Sequence, residues 1–150
     1  MPLEPAELIE FLAPYPPEIQ ELTLAARLRL HEIVGSASDL FFDATTAVCS
    51  GLSYTGDYRD NIVNLAVFAN HVTLIFPWGA RMDDPMKRMK GEGNQVRNIR
   101  LAGLETLSDP YVVGLIQQAM AMSKRPPEPI EPVKYVKVYK GPKRRPVPGK

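Results

Sequence analysis

The chain has 150 residues, of which 45 % are hydrophobic, and a formal net charge of +1. That length fits one domain with a single substantial core, and no apolar run approaches the roughly 18 residues of a membrane span. The one cysteine, Cys49, excludes an intrachain disulfide, and with only His31 and His71 beside it a Cys/His metal site within one chain is excluded too. Cysteine usage fits a reducing compartment, and the acidic, proline-bearing start Met-Pro-Leu-Glu-Pro-Ala-Glu does not read as a secretory signal, so a cytoplasmic location is expected.

The charge is unevenly spread. Residues 1–123 sum to −6 and residues 124–150 to +7, and the second stretch holds 7 of the 15 prolines. This boundary predicts an α+β domain over 1–123 and a basic, proline-rich tail over 124–150, extended or disordered. The tail's one hydrophobic stretch, Tyr135, Val136, Val138 and Tyr139, can dock on the body or on a partner.

In chain order, Pro5 to Leu12 predicts a short helix with Glu4, Glu7 and Glu10 along one side. Pro17 is suited to the first turn of a second helix running to about Val34, with Glu18 and Glu21 near its positive end and Gly35 as its stop. Ile19, Leu22, Ala26, Leu30 and Ile33 give that helix its apolar spacing. Gly35 to Asp43 shows no clear period, although Leu40-Phe41-Phe42 is apolar enough to pack. Thr45 to Tyr54 reads as a strand with a bulge or kink at Gly51.

Asn61 to Pro77 reads as a β-hairpin. Taking Asn70-His71 as a two-residue loop pairs Ala69 with Val72, Val67 with Leu74 and Leu65 with Phe76, a wholly apolar face. The opposite face, with Phe68, Thr73, Ala66 and Ile75, is mixed and suits a partly covered surface or a cleft wall. Asp84-Pro85 predicts a short helix over Met86–Lys90. Val96 to Leu101 alternates, with Arg97 on the face of Ile99 and Leu101. Ser108-Asp109-Pro110 starts a last helix with Val112, Val113, Ile116, Ala119 and Met120 as its stripe. Grouped strands between an N-terminal helix pair and a C-terminal helix predict an α+β fold with a mostly antiparallel sheet.

Three segments also carry a family resemblance. The hairpin Asn61–Pro77, the run Trp78-Gly79-Ala80, and Gly91-Glu92-Gly93-Asn94-Gln95-Val96-Arg97-Asn98-Ile99-Arg100-Leu101 resemble the YdhG-like family, small bacterial domains with no established general reaction. The resemblance spans about residues 5–123. Phe68-Ala69-Asn70-His71-Val72 matches the family's first motif closely, with Ala69 where lysine is usual. In the second motif Glu92, Asn94 and Asn98 stand where threonine, lysine and histidine are usual, which removes polar groups that a ligand site could use. The resemblance implies the α+β fold and, through relatives likened to frataxin, an iron-chaperone role.

The candidate chemistry is sparse. Arg97, inward-leaning by alternation, needs a carboxylate or an anion, so it is either a structural or snorkelling side chain or an anion clamp. His71 can serve as an acid or base, although its turn position suits a structural role better. No Ser/His/Asp order or Cys/His pair stands out, and Cys49 lies in a β-run as a small core residue. Tyr54, Phe68, Phe76 and Trp78 can border a cleft beside the hairpin. Glu7, Glu10, Glu18 and Glu21 form either a solvated acidic face or a surface site for a hard cation such as iron.

These residues predict a binding or accessory module rather than an enzyme, with a small anionic ligand near Tyr54, Phe68, His71, Trp78 and Arg97. Iron handling and an enzyme acting on a small anionic substrate, with Arg97 as clamp and His71 as acid/base, are the alternatives. No cofactor other than iron is expected. The ligand or partner is a small molecule or a protein. A membrane is excluded, and nucleic acid is not expected because the basic residues sit in a tail and no nucleic-acid motif is present.

Overall fold

The two strongest helix signals act through their first residues. Pro17 opens the helix Pro17–Val34 (α2), where its missing N–H costs nothing, and Gly35 ends it at φ +85°. Asp109 caps Pro110–Met122 (α3) by accepting a hydrogen bond from the Tyr111 N–H at 2.9 Å. A shorter helix, Ala6–Leu12 (α1), precedes them. A computed structural model describes residues 2–147, and its strands are Ser38–Asp43 (β1), Val48–Ser53 (β2), Asn61–Val67 (β3), Val72–Phe76 (β4), Arg97–Arg100 (β5) and Lys134–Val138 (β6).

The strands form one sheet in the order β5-β4-β3-β2-β1-β6, antiparallel throughout except that β6 runs parallel to β1. The fold is thus α+β, with the helix pair N-terminal and the third helix late in the chain. One face of the sheet carries Phe41, Val48, Leu52, Val63, Leu65, Val67, Val72, Leu74, Phe76, Ile99 and Leu101. These residues join Leu8, Leu12, Ala26, Leu30, Val112, Leu115 and Ile116 of the helices in a single core. Each large side chain buried there contributes roughly 1.5–3 kcal/mol. All three helices lie on this face. The other face has no helix over it, and its Leu40 and Ala66 are buried outside the main cluster.

The hairpin departs from the predicted turn. Leu65 pairs with Leu74 and Val67 with Val72, so the loop has four residues, closed by the Phe68 N–H donating to the His71 carbonyl at 2.9 Å. The register moves by two residues, which preserves the period-two faces, so Leu65, Val67, Leu74 and Phe76 still face the core. Ala69 lies exposed on the loop instead. The longer loop needs no left-handed residue, and Lys87, at φ +54°, is the one non-glycine with positive φ among the described residues.

Other differences have equally local causes. Gly35 to Asp43 shows no period because β1 is covered on both faces from Ser38 to Phe41. Gly51 makes no kink. A Cβ there would lie 3.0 Å from the Asn61 amide, so the glycine leaves room for that side chain, and the register shift falls between Leu52 and Ser53. The helix expected at 86–90 is a turn. The Asp84 carboxylate accepts from the Arg88 and Met89 N–H groups at 3.0 and 2.8 Å and from the Tyr111 hydroxyl, while left-handed Lys87 stops helical propagation. Lys90 then bridges to Asn98 at the sheet edge. On α3, Leu115 takes the buried position expected for Val113.

Residues 134–138 add β6 to the sheet. The Asp39 N–H donates to the Val133 carbonyl at 3.0 Å and the Tyr139 N–H to the Asp43 carbonyl at 2.9 Å, one at each end of the ladder. Lys134 pairs with Glu7 at 2.9 Å, and Arg145 pairs with Asp43.

Candidate functional site

The residues singled out in the sequence do not converge on one pocket. Arg97 does face the core side, but its guanidinium donates to the carbonyls of Gly93 and Val96 at 2.7 and 2.8 Å and meets no carboxylate. Its stem packs so closely on Gly79 that a Cβ there would lie 2.5 Å from the Arg97 Cβ. Tyr54 is buried, donates to the Val34 carbonyl at 3.0 Å, and carries the Arg125 guanidinium 3.8 Å above its ring. Phe68 and His71 stack on each other across the hairpin loop, with ring centroids 4.7 Å apart. His71 is held by Asn70 at 2.8 Å, and desolvation, with Arg100 nearby, keeps its pKa below the ordinary histidine value.

Glu7 is engaged by Lys134, whose hydrogen bond lowers the Glu7 pKa, and Glu10, Glu18 and Glu21 are exposed. Among the described residues no three His, Cys, Asp or Glu side chains come together to hold a metal ion. Cys49 is a poor nucleophile, because burial pushes its thiol up to about 11.

Trp78 and Phe76 border a cleft of about 160 Å³ between the start of β3, the loop after β4 and the end of α3. Ile62, Met82, Ala119 and Met122 complete its apolar lining, and Arg59, Asp60, Asn61, Ser123 and Lys124 are its polar members. Arg59 is already committed to Asp57 at 2.7 Å, an ion pair that holds Asp57 at about 2. Asp60 accepts from the Thr55 hydroxyl at 2.6 Å. Lys124 has no ion-pair partner among the described residues, and the Asn61 Oδ1 is buried without a hydrogen bond. The Ser123 hydroxyl donates to the Ala119 carbonyl at 2.6 Å, which leaves Lys124 as the cleft's cation without an ion-pair partner among the described residues.

The most heavily buried charges lie elsewhere, between α2 and β1. Asp39, fully buried, accepts from Arg27 at 3.1 and 2.8 Å and bonds the His31 Nε2 at 2.9 Å. Arg27 also donates to the Leu3 carbonyl at 2.6 Å and lies over the Phe41 ring. Burial alone would raise the Asp39 pKa. The hydrogen bonds from His31 and Arg27 outweigh burial, and its pKa is lowered. His31 also lines a second cavity of about 440 Å³, with Leu28, Glu32, Ser36 and Pro132 among its walls. This cluster was missed in the sequence reading. Its signal was present: Thr23, Arg27 and His31 sit four apart on the stripe that holds Ala26, Leu30 and Val34, and polar groups on a buried stripe require partners.

The fold defines a small α+β domain with one helix-covered sheet face. No family model, curated protein or solved structure matches the chain. Among the described residues no helix is long and apolar enough to cross a membrane.

Proposed function

We propose that the protein is a non-enzymatic binding module of the YdhG-like type that takes a small anion with an apolar body in the Trp78 cleft. The observation that carries this reading is the cleft's composition: an apolar floor of Phe76, Ile62 and Met122 under an uncommitted Lys124. Its volume, about 160 Å³, is close to the roughly 150 Å³ that accommodates one benzene-sized group. A monocyclic carboxylate fits these terms, with the ring on Trp78 and the carboxylate on Lys124. The anion site so proposed uses Lys124 in place of Arg97, whose Nη1 is engaged by two carbonyls and which does not line this cleft.

Benzoate is the direct probe. Titration should quench the Trp78 fluorescence saturably and shift the Trp78 and Lys124 NMR signals. The Lys124→Gln variant should weaken binding about tenfold, the loss of one charge-assisted hydrogen bond. No saturable change, or equal binding by Lys124→Gln, overturns the reading.

The His31–Asp39 pair favours a second reading, an enzyme in which Asp39 orients His31 as a base toward the 440 Å³ cavity. That reading predicts a turnover, found by substrate screening, that His31→Gln abolishes while benzoate binding at Trp78 persists.

A further inference from the structure

The helix-free face of the sheet has an unusual charge pattern. Cross-strand neighbours form one continuous row: Lys137, Phe42, Cys49, Ala66, Thr73 and Arg100. The next row reads Tyr135, Leu40, Gly51, Asn64, Ile75 and Asn98. Neither row contains a carboxylate. The first ends in an exposed cation on each edge, about 24 Å apart at ordinary strand spacing, and small residues make the middle flat.

Aromatic rings gather at the β6 side. Tyr58 stacks on Tyr135 at 5.4 Å, Tyr135 packs on Phe42 at 5.8 Å, and Lys137 lies 4.9 Å over the Tyr139 ring. Tyr58 and Tyr139 remain 49 % and 41 % exposed. More cations frame the same side: Lys140 and Arg144 are exposed, and the Arg144 N–H donates to the Thr45 carbonyl at the turn between β1 and β2. Lys137, Lys140, Arg100 and Arg144 have no ion-pair partner among the described residues, whereas Arg27, Arg29, Arg88 and Arg97, off this face, are bonded to carboxylates or carbonyls. Of the acids around the rim, Asp57 is engaged by Arg59, Asp60 by Thr55 and Asp43 by Arg145.

We infer that this open sheet face is a binding platform for single-stranded nucleic acid. Exposed tyrosines offer faces on which any base stacks, an acid-free floor avoids repelling the phosphates, and cations at both edges meet the backbone. Nucleic acid is not expected from the sequence, because the lysines and tyrosines of residues 134–145 read there as a separate tail. Pairing of β6 with β1 brings them onto the folded surface, beside Phe42 and in line with Arg100. The face lacks the depth and the helix or ribbon that reading a duplex groove requires, so unpaired strands are its ligand.

The test is fluorescence anisotropy on the full chain with labelled 12-nucleotide oligo(dT) and oligo(U), and a 12-base-pair duplex as control. Saturable binding to the single strands is expected. It should fall about 20-fold between 50 and 200 mM salt, the value for three phosphate contacts. Tyr139→Ala and Tyr58→Ala should each weaken it about tenfold, with Tyr58→Phe retaining it. Lys137→Glu should weaken it more than Lys87→Glu, an equal charge change at an exposed lysine off this face. Circular dichroism checks each variant's fold, and Tyr139→Ala and Lys137→Glu, at exposed positions, keep the test open if Tyr58→Ala unfolds. Equal affinity for the duplex, equal effects of Lys137→Glu and Lys87→Glu, or tighter binding to anionic lipid vesicles lost in the same variants would overturn the assignment.

Discussion

Arg27 and Arg97 both reach the helix-covered side of the sheet, one from α2 over β1, the other from edge strand β5. Arg27 is almost wholly buried and has a carboxylate, a histidine-linked one, on its fork. Arg97 is partly exposed and is satisfied by two backbone carbonyls. Strand alternation turns Arg97 inward, and helical spacing does the same for Arg27. What separates them is desolvation: a guanidinium cut off from water requires a counter-charge, and one with water at its tip does not. Arg97, on edge strand β5, is the arginine the sequence singles out, yet the buried site that demands a counter-charge lies over β1.

The largest expected effect breaks the Arg27 side of this comparison. Asp39→Asn leaves Arg27 buried without its carboxylate and should cost roughly 3–5 kcal/mol in denaturant unfolding. A loss under about 1 kcal/mol would mean that water reaches Arg27 after all. Gly79→Ala tests the other side, since a Cβ 2.5 Å from that of Arg97 must displace the side chain or the loop. The expected loss is roughly 1–3 kcal/mol, measured in the same assay.

Acid titration sharpens the contrast. The Asp39 pKa is depressed in the folded state, so its stabilisation is complete above the ordinary carboxyl range and fades as pH falls through the folded value. Stability measured from neutral pH downward should therefore fall less steeply in Asp39→Asn than in wild type. Parallel acid limbs would show that the carboxylate is not the linked group. The smallest effect belongs to Arg97→Ala, which removes two partly exposed hydrogen bonds and should cost about 1 kcal/mol or less with the fold intact. A loss comparable with that of Asp39→Asn would erase the distinction between the two arginines.

What could be read from the sequence followed local rules. Pro17, Gly35 and Asp109-Pro110 mark helix ends through backbone chemistry that depends on a few neighbours, and those ends stand where expected. The hairpin's core face survived an error in the turn, because a two-residue register shift changes partners but not faces. The Arg27–Asp39–His31 cluster was legible on its helix side, in the polar residues of the α2 stripe, but not at Asp39, which sits in a run buried on both sides where alternation gives no signal. The Trp78 cleft was half legible: its aromatic residues were named, but Lys124 and Asn61 reach it only through the packing of α3 against β3. β6 was visible as an apolar stretch, but nothing local specifies a parallel pairing with β1.

That pairing has a consequence for how the molecule is assembled. The contacts joining Ser38 to Val133 span 95 positions, so the outer edge of β1 stays unpaired while everything between is made. Closing so long a loop is slow compared with forming the hairpins inside it. On a growing chain the antiparallel strands can therefore settle first, with β1 as a temporary border carrying open N–H and C=O groups. The flanking lysines Lys134, Lys137 and Lys140 arrive together with the strand that covers it, and they leave a charged outer edge that discourages further strand addition.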